Sequence, residues 1–535
     1  MKQILIYFLL LVVIVLYSCT KQKKQPNIVF FLVDDLGWTD IGCYGSSFYE
    51  TPNIDALAES GVRFSDAYAT CHVCSPTRAS ILTGKYPATI NLTDWLPGRR
   101  EFPFQILSNA VINQHLPYED ITIAEALKEV GYRTAIIGKW HLGENPSNPM
   151  AHGFDMHIPN NWLWGWPKHS YFAPFDLEGL EDSKKGDYLT DRLTDEALKY
   201  IEENKDYPFF LYMSHYAVHD PIQGRKDLVK KYSGALNEME RDNSREYILE
   251  GNPDNPGNPS HEELKNLLNA PDYKPYKILP NGMVKIKQKQ DNTEFAGMVE
   301  SMDESLGRIL AKLEELGIED NTIIFFYSDN GGMAAANLGN PRRIIPDDKL
   351  DMYYSTSNLP LRGAKGWLYE GGIRVPLIIK WPGKGKQGIE CSVPVTSVDM
   401  FPTIMNMLGL NDEISRDKEG VDISPLVKGG TMERGPIYWH FPHYSNHGMQ
   451  SPGGAIRDGD YKLLEYFENG TVQLFNIKND IGEQVDLSKI DSIRTRELRE
   501  KLQNWRIQTG AQMMQPNPDY DSSIKADKFY KYEAK

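Results

Sequence analysis

Four apolar runs, each ending in residues that carry chemistry, limit what this chain can fold into. They are residues 27–33 (NIVFFLV), 133–138 (RTAIIG), 208–214 (PFFLYMS) and 321–328 (NTIIFFYS). The runs are rich in β-branched and aromatic residues without polar alternation, the pattern of strands buried on both faces. Helix-patterned segments precede the last three: TIAEALKEVGY, GDYLTDRLTDEALKYIEEN and FAGMVESMDESLGRILAKLEELG. Helix then strand, repeated, predicts an α/β fold with a largely parallel central sheet flanked by helices.

The pattern breaks twice. Between residues 222 and 290 the chain turns charged and Pro/Gly/Asn-rich (EGNPDNPGNPSHEE), which reads as a long surface excursion. Beyond residue 430, DYKLLEY and TVQLFNI read as antiparallel strands around FENG, and SIRTRELREKLQNWRIQTG as a closing helix. The expected organisation is a catalytic α/β unit over residues 27–430 and a smaller α+β subdomain with a polar tail over 431–535.

The first 19 residues read as a targeting segment. A single lysine precedes a 14-residue apolar run at residues 4–17, too short for the ~20 residues a membrane-spanning helix needs. Leu16-Tyr17-Ser18-Cys19 resembles a bacterial lipobox, with plain secretion as the alternative; Cys19 would then be acylated and residues 20–26 would be a polar tether. The expectation is export to the periplasm or outer membrane, with the membrane touched only through the lipid on Cys19. The net charge of -15 argues against nucleic acid as a partner, without excluding a small anion met by a local basic cluster.

Cys43, Cys71, Cys74 and Cys391 remain, too few for a disulfide scaffold. Cys71 and Cys74 form a C-x-x-C, but no second pair accompanies it, which disfavours zinc. Pro76 and Arg78 come just after Cys74, and the motif reads as a loop leading into a helix, which disfavours a thioredoxin-like site.

Open α/β sheets bind ligands at the carboxyl ends of their strands, so the residues just past each run matter most. The first runs into Asp34-Asp35, the second into Lys139 and His141, the third into His215 and His219, the fourth into Asp329-Asn330. An aspartate after a strand is often a turn residue, but four functional tips together are hard to assign to turn chemistry. Asp34, Asp35, Asp329 and Asn330 make an oxygen-only set suited to a hard divalent cation, calcium or else magnesium. His215 is expected to support the site from behind.

Cys74-x-Pro76-x-Arg78 with Thr83-Gly84 beyond it, together with DDLG, GKWHLG, a histidine before DP, SDNGG and AKGWLYEGGIRVP, closely resembles the type I sulfatases of the alkaline phosphatase superfamily. The motifs occur in that family's order over roughly residues 26–480. The resemblance implies hydrolysis of sulfate esters. It implies that a maturation enzyme, addressed by Pro76 and Arg78, oxidises Cys74 to formylglycine, whose hydrate attacks sulfur beside the cation. Thr77 replaces the more usual serine. By the same resemblance Arg78 is a partner of the hydrate, Lys139 and Lys365 meet sulfate oxygens, His219 protonates the leaving oxygen, and His141 takes the proton of the second hydroxyl during sulfate release. Cys74, once modified, joins the metal set.

NLTDWLPGRR (residues 91–100) and YWHFPHYSNHG (residues 438–448) are rich in side chains that suit sugars. His443, Asn446 and His447 are the candidate contacts to a sulfated glycan. Two other readings stay open: a phosphate or phosphonate monoester hydrolase of the same superfamily, and a non-catalytic lipoprotein that binds sulfated glycans.

Overall fold

The computed structural model describes residues 25–160, 170–238, 244–255, 266, 278–279, 282–337, 352–410 and 416–526. The targeting segment and Cys19 lie outside the described residues.

An eight-stranded sheet organises the chain. In chain order its strands are β1 (Asn27–Val33), β2 (Val62–Phe64), β3 (Arg133–Gly138), β4 (Met156–Ile158), β5 (Phe209–Ser214), β6 (Thr322–Ser328), β7 (Leu377–Lys380) and β8 (Ile389–Cys391). Their spatial order is β8-β2-β7-β6-β1-β5-β3-β4. β1 lies at the centre, parallel to both β6 and β5, and β5 is parallel to β3. These are the four runs read from the sequence. β7 pairs antiparallel with β6, so the sheet is mostly rather than wholly parallel.

β1 shows why its run has no polar position. Val29, Phe31 and Val33 enter one core, Ile28, Phe30 and Leu32 the other, each without exposure. Successive side chains point to opposite faces, so a strand covered on both sides must be apolar throughout. The first core is closed by helices Leu189–Asn204 and Thr293–Glu315. The second is closed by helices Cys74–Thr83, Ile123–Glu129 and Met400–Leu408.

Four antiparallel strands, β9 (Ile437–Phe441), β10 (Gly453–Asp458), β11 (Tyr461–Tyr466) and β12 (Val472–Asn476), form a second sheet. Helix Ser492–Gln508 covers it through Leu498, Leu502 and Trp505. Its other face packs on Trp367 and Tyr369 of the segment that carries Lys365. A buried charge network ties the two sheets: the Lys462 ammonium lies 2.9 Å from both Glu370 and Glu483, and Arg457 and Arg374 share Asp66.

Within residues 222–290, read from sequence as a surface excursion, the described residues include packed elements. Helix Lys226–Glu238 packs on Thr293–Glu315, and Met283–Lys287 pairs with Tyr247–Glu250 as a strand buried along its length. The MVKIK strand buries both lysines: Lys287 meets Asp291 at 2.8 Å and Lys285 lies over the Tyr247 ring. A lysine-bearing alternation therefore reads as polar from sequence although it is enclosed.

Candidate active site

Tight backbone geometry brings the strand tips together. At the end of β3, Gly138 has φ +111°, and a Cβ there would lie 1.8 Å from the Ser214 carbonyl. Only glycine lets β3 approach the end of β5 this closely. Asp35 (φ 61°) and His141 (φ 57°) both lie in the left-handed region that non-glycine residues seldom adopt, and such strain clusters where side chains must be aimed.

The helix that carries the Cys74 motif begins at Cys74 itself, contrary to the expected loop. Pro76 sits in its first turn, where a backbone N–H has no intrahelical acceptor and its loss costs nothing. Arg78, four residues on, lies on the same helical face as Cys74. Its Nε donates to Asp329 Oδ2 at 2.8 Å, its Nη2 lies 2.8 Å from the same oxygen as an ion pair, and its Nη1 donates to Ser214 Oγ at 2.7 Å and the Lys139 carbonyl at 3.2 Å. Buried Arg78 thus joins the ends of β6, β5 and β3.

Around this pillar the charges alternate. Lys139 Nζ lies 2.6 Å from Asp34 Oδ2, and Lys365 Nζ 2.6 Å from Asp35 Oδ1. Cys74 Sγ is 3.5 Å from Asp34 Oδ1, and His219 Nε2 is 3.7 Å from Asp35 Oδ2. Against the cost of burial, Lys139 and Lys365 hold Asp34 and Asp35 below the usual carboxylate range. Burial and the charge of Asp34 push Asp329 up to about 6.

The donor set fits a hard cation. Ligand atoms of Asp34, Asp35, Cys74 and His219 all lie within 4.8 Å of one another. Asn330 Nδ2 donates to Asp35 Oδ1 at 2.8 Å, while its Oδ1 is buried without a hydrogen-bond partner. An orphaned buried carbonyl oxygen beside two carboxylates is what an oxygen-ligated cation would satisfy. Asp329, the remaining carboxylate of the expected set, is turned toward Arg78 and the Asp35 backbone N–H.

The two histidines have different settings. His141 Nε2 donates to the Leu96 carbonyl at 2.9 Å, which leaves Nδ1 as an unprotonated, unpartnered nitrogen. Burial, with Lys139 beside it, holds its pKa well below 6.5. His219 is opposite: despite burial and Lys365, the carboxylates of Asp35 and Asp220 raise it well above 6.5. Its Nδ1 lies 2.8 Å from Asp220 Oδ1. Asp220 is a residue that sequence reasoning missed, although its place in HDP beside His219 was the available signal. His215 does not reach this cluster: its Nε2 meets Ser305 Oγ at 2.9 Å and its ring packs on Phe31 in the core.

Of the expected sugar contacts, His447 comes closest to the charged cluster. Its backbone and Cβ occupy the space a side chain at Gly366 would need, 2.3 and 2.4 Å from an added Cβ, next to Lys365. Both of its ring nitrogens are buried without a hydrogen-bond partner. His443 is buried, with its Nε2 2.8 Å from Thr93 Oγ1 and its ring resting on Phe441. That contact and Arg99 Nη1 to the Ser445 carbonyl at 3.1 Å join the two loops expected to bind sugar, so much of their polarity serves each other. Asn446 is buried beside them.

A family model described as Sulfatase matches residues 26–410, and one described as N-sulphoglucosamine sulphohydrolase, C-terminal, matches residues 364–508. The chain is similar to a protein named Sulfatase from Formosa agariphila, at 28% identity over 95% of this chain and 94% of that one. It is similar to N-acetylgalactosamine-6-sulfatase of Mus musculus, at 29% identity over 78% of this chain and 69% of the relative. Among solved structures, Ps i-CgsB in complex with k-i-k-neocarrahexaose superposes with a TM-score of 0.66 at 28% identity, over 90% of this chain and 93% of the other.

Proposed function

Because the chain belongs to the sulfatase family and so hydrolyses sulfate esters, we propose that it removes O-sulfate from a carbohydrate, with Cys74 as the precursor of its nucleophile and calcium as its cation. The relatives named for N-acetylgalactosamine 6-sulfate and neocarrahexaose support a sugar substrate. The observation that carries the site assignment is the pair of buried ammonium groups, Lys139 and Lys365, each on a carboxylate at a strand tip beside Cys74.

Asp34, Asp35, Asp329, Asn330 and the side chain at position 74 would hold the cation. Bound cation and formylglycine together supply charge neutralisation at sulfate and a hydroxyl nucleophile at neutral pH. The chain's own residues do the rest. Lys139 and Lys365, buried and held on Asp34 and Asp35, would supply positive charge to the sulfate oxygens as charge gathers there. His219 carries a proton stabilised by Asp35 and Asp220 and delivers it to the departing sugar oxygen. His141 offers its bare Nδ1 to the proton released as sulfate leaves. Arg78 holds Asp329 and the ends of three strands in register, and a nitrogen of His447 donates to a substrate oxygen. A maturation enzyme that reads Pro76 and Arg78 is required, and Cys19 anchors the protein by lipid in the periplasm or outer membrane.

The chemical class is tested by turnover of aryl sulfate and aryl phosphate side by side in the matured protein. Sulfate preference is expected, because the chain belongs to the sulfatase family. A strong preference for phosphate overturns the assignment. The sugar is then found by screening defined sulfated mono- and disaccharides.

A further inference from the structure

The reacting centre is almost closed: Cys74 is 2% exposed, Lys139 and Lys365 0%. Beside it a cavity of about 520 Å³ opens to solvent, and His141 is the catalytic candidate among its lining residues. That volume falls in the range of small-molecule sites. The other walls come from Leu96 and Pro97 and from two loops with no assigned part in the chemistry at sulfur, residues 114–118 and 143–147.

The lining has the composition of a sugar site. The Tyr118 ring stacks on His152, with centroids 5.2 Å apart and planes 7° apart, and is 46% exposed. One aromatic face is thus fixed from behind while the side chain still reaches the cavity. Gln114, Asn145 and Glu144 are exposed polar side chains at the same wall, able to meet ring hydroxyls. The formal charge that the described lining residues place there is the Glu144 carboxylate, which repels a uronate or a second sulfate and accepts from hydroxyls.

We propose that this cavity binds the sugar ring next to the sulfated one, and that the ring it takes is uncharged. His141, which the sulfatase reading places at the departing sulfate, also lines this cavity, so a ring of the same glycan bound there would adjoin the sulfated one. The proposal rests on the sulfatase reading and adds the charge of the adjoining unit, distinguishing a neutral galactan from a uronate-containing chain.

The test compares matured protein on para-nitrophenyl sulfate, a galactan oligosaccharide with a neutral neighbour, and a chondroitin sulfate oligosaccharide with a uronate neighbour. Tyr118→Ala is expected to lower kcat/KM on the galactan ~10-fold more than on the aryl sulfate, chiefly through KM, the loss of one good contact. Glu144→Lys is expected to narrow the galactan-over-chondroitin preference. Equal effects on all three substrates, or an unsubstituted protein that prefers the uronate neighbour, overturn the proposal. Calorimetry of the same oligosaccharides on the full chain carrying Cys74→Ser reads the pocket without turnover: Tyr118→Ala must weaken galactan binding there, and an unchanged Kd overturns it. Binding with no turnover of any sulfate by the matured protein would instead sink the sulfatase reading.

Discussion

Arg78→Ala should unfold the strand-tip architecture before it affects any chemistry. Arg78 makes two charge-assisted contacts to buried Asp329 and two more to Ser214 and the Lys139 carbonyl. Removing one partner of a buried pair costs about 3–5 kcal/mol, because the surviving carboxylate is left without compensation. The lost bonds to β5 and β3 put this site toward the upper end. Proteins have ~5–15 kcal/mol in total, so the variant should lose a large share of its stability. Arg78→Lys keeps the charge but not the fork, and should cost about 1–3 kcal/mol. The assay is urea unfolding of the unmatured chain in chelator, monitored by tryptophan fluorescence; this separates folding from both maturation and catalysis. A loss under ~1 kcal/mol for Arg78→Ala would refute the role of Arg78 as the pillar of the tips.

Lys462→Met leaves Glu370 and Glu483 without the ammonium they share, and is expected to cost about 3–5 kcal/mol in the same unfolding assay. Asp94 is buried and pushed up to about 7 by that burial, against hydrogen bonds from the Trp95 and Arg99 backbone. The folded state therefore holds a proton that the unfolded chain has released, so the contribution of Asp94 to stability is fullest below about pH 4 and is lost as pH rises through 7; Asp94→Asn should remove that contribution, at most about 4 kcal/mol, read as the difference in urea midpoints between variant and parent across pH. Chelation should abolish turnover and calcium should restore it. Asn330→Ala should raise the calcium concentration needed at least ~10-fold, read both from restored activity and from calcium-induced shifts of the melting temperature.

The central sheet was legible in the sequence because β1, β3, β5 and β6 are covered on both faces, so their burial is written as uninterrupted apolar runs. The chemistry at their tips was legible for the same reason: a functional residue directly after such a run has its place fixed by the strand. Shorter pieces were not. β2, β7 and β8 have three or four residues each, too few for a periodicity to separate strand from helix. The helix start at Cys74 was missed because Pro76 signals a break except in the first turn, and only structure shows which applies. The contact of His443 with Thr93 was not legible because the two lie 350 residues apart. The pocket around Tyr118 left no trace in sequence, since two aperiodic loops meet there only through tertiary packing.

The most direct test of the central claim is mass spectrometry of the peptide containing Cys74, taken from protein made in its native host. The account predicts an aldehyde at that position, trapped by a hydrazine, in protein that turns over sulfate esters. An unmodified thiol at Cys74 in active protein would contradict it.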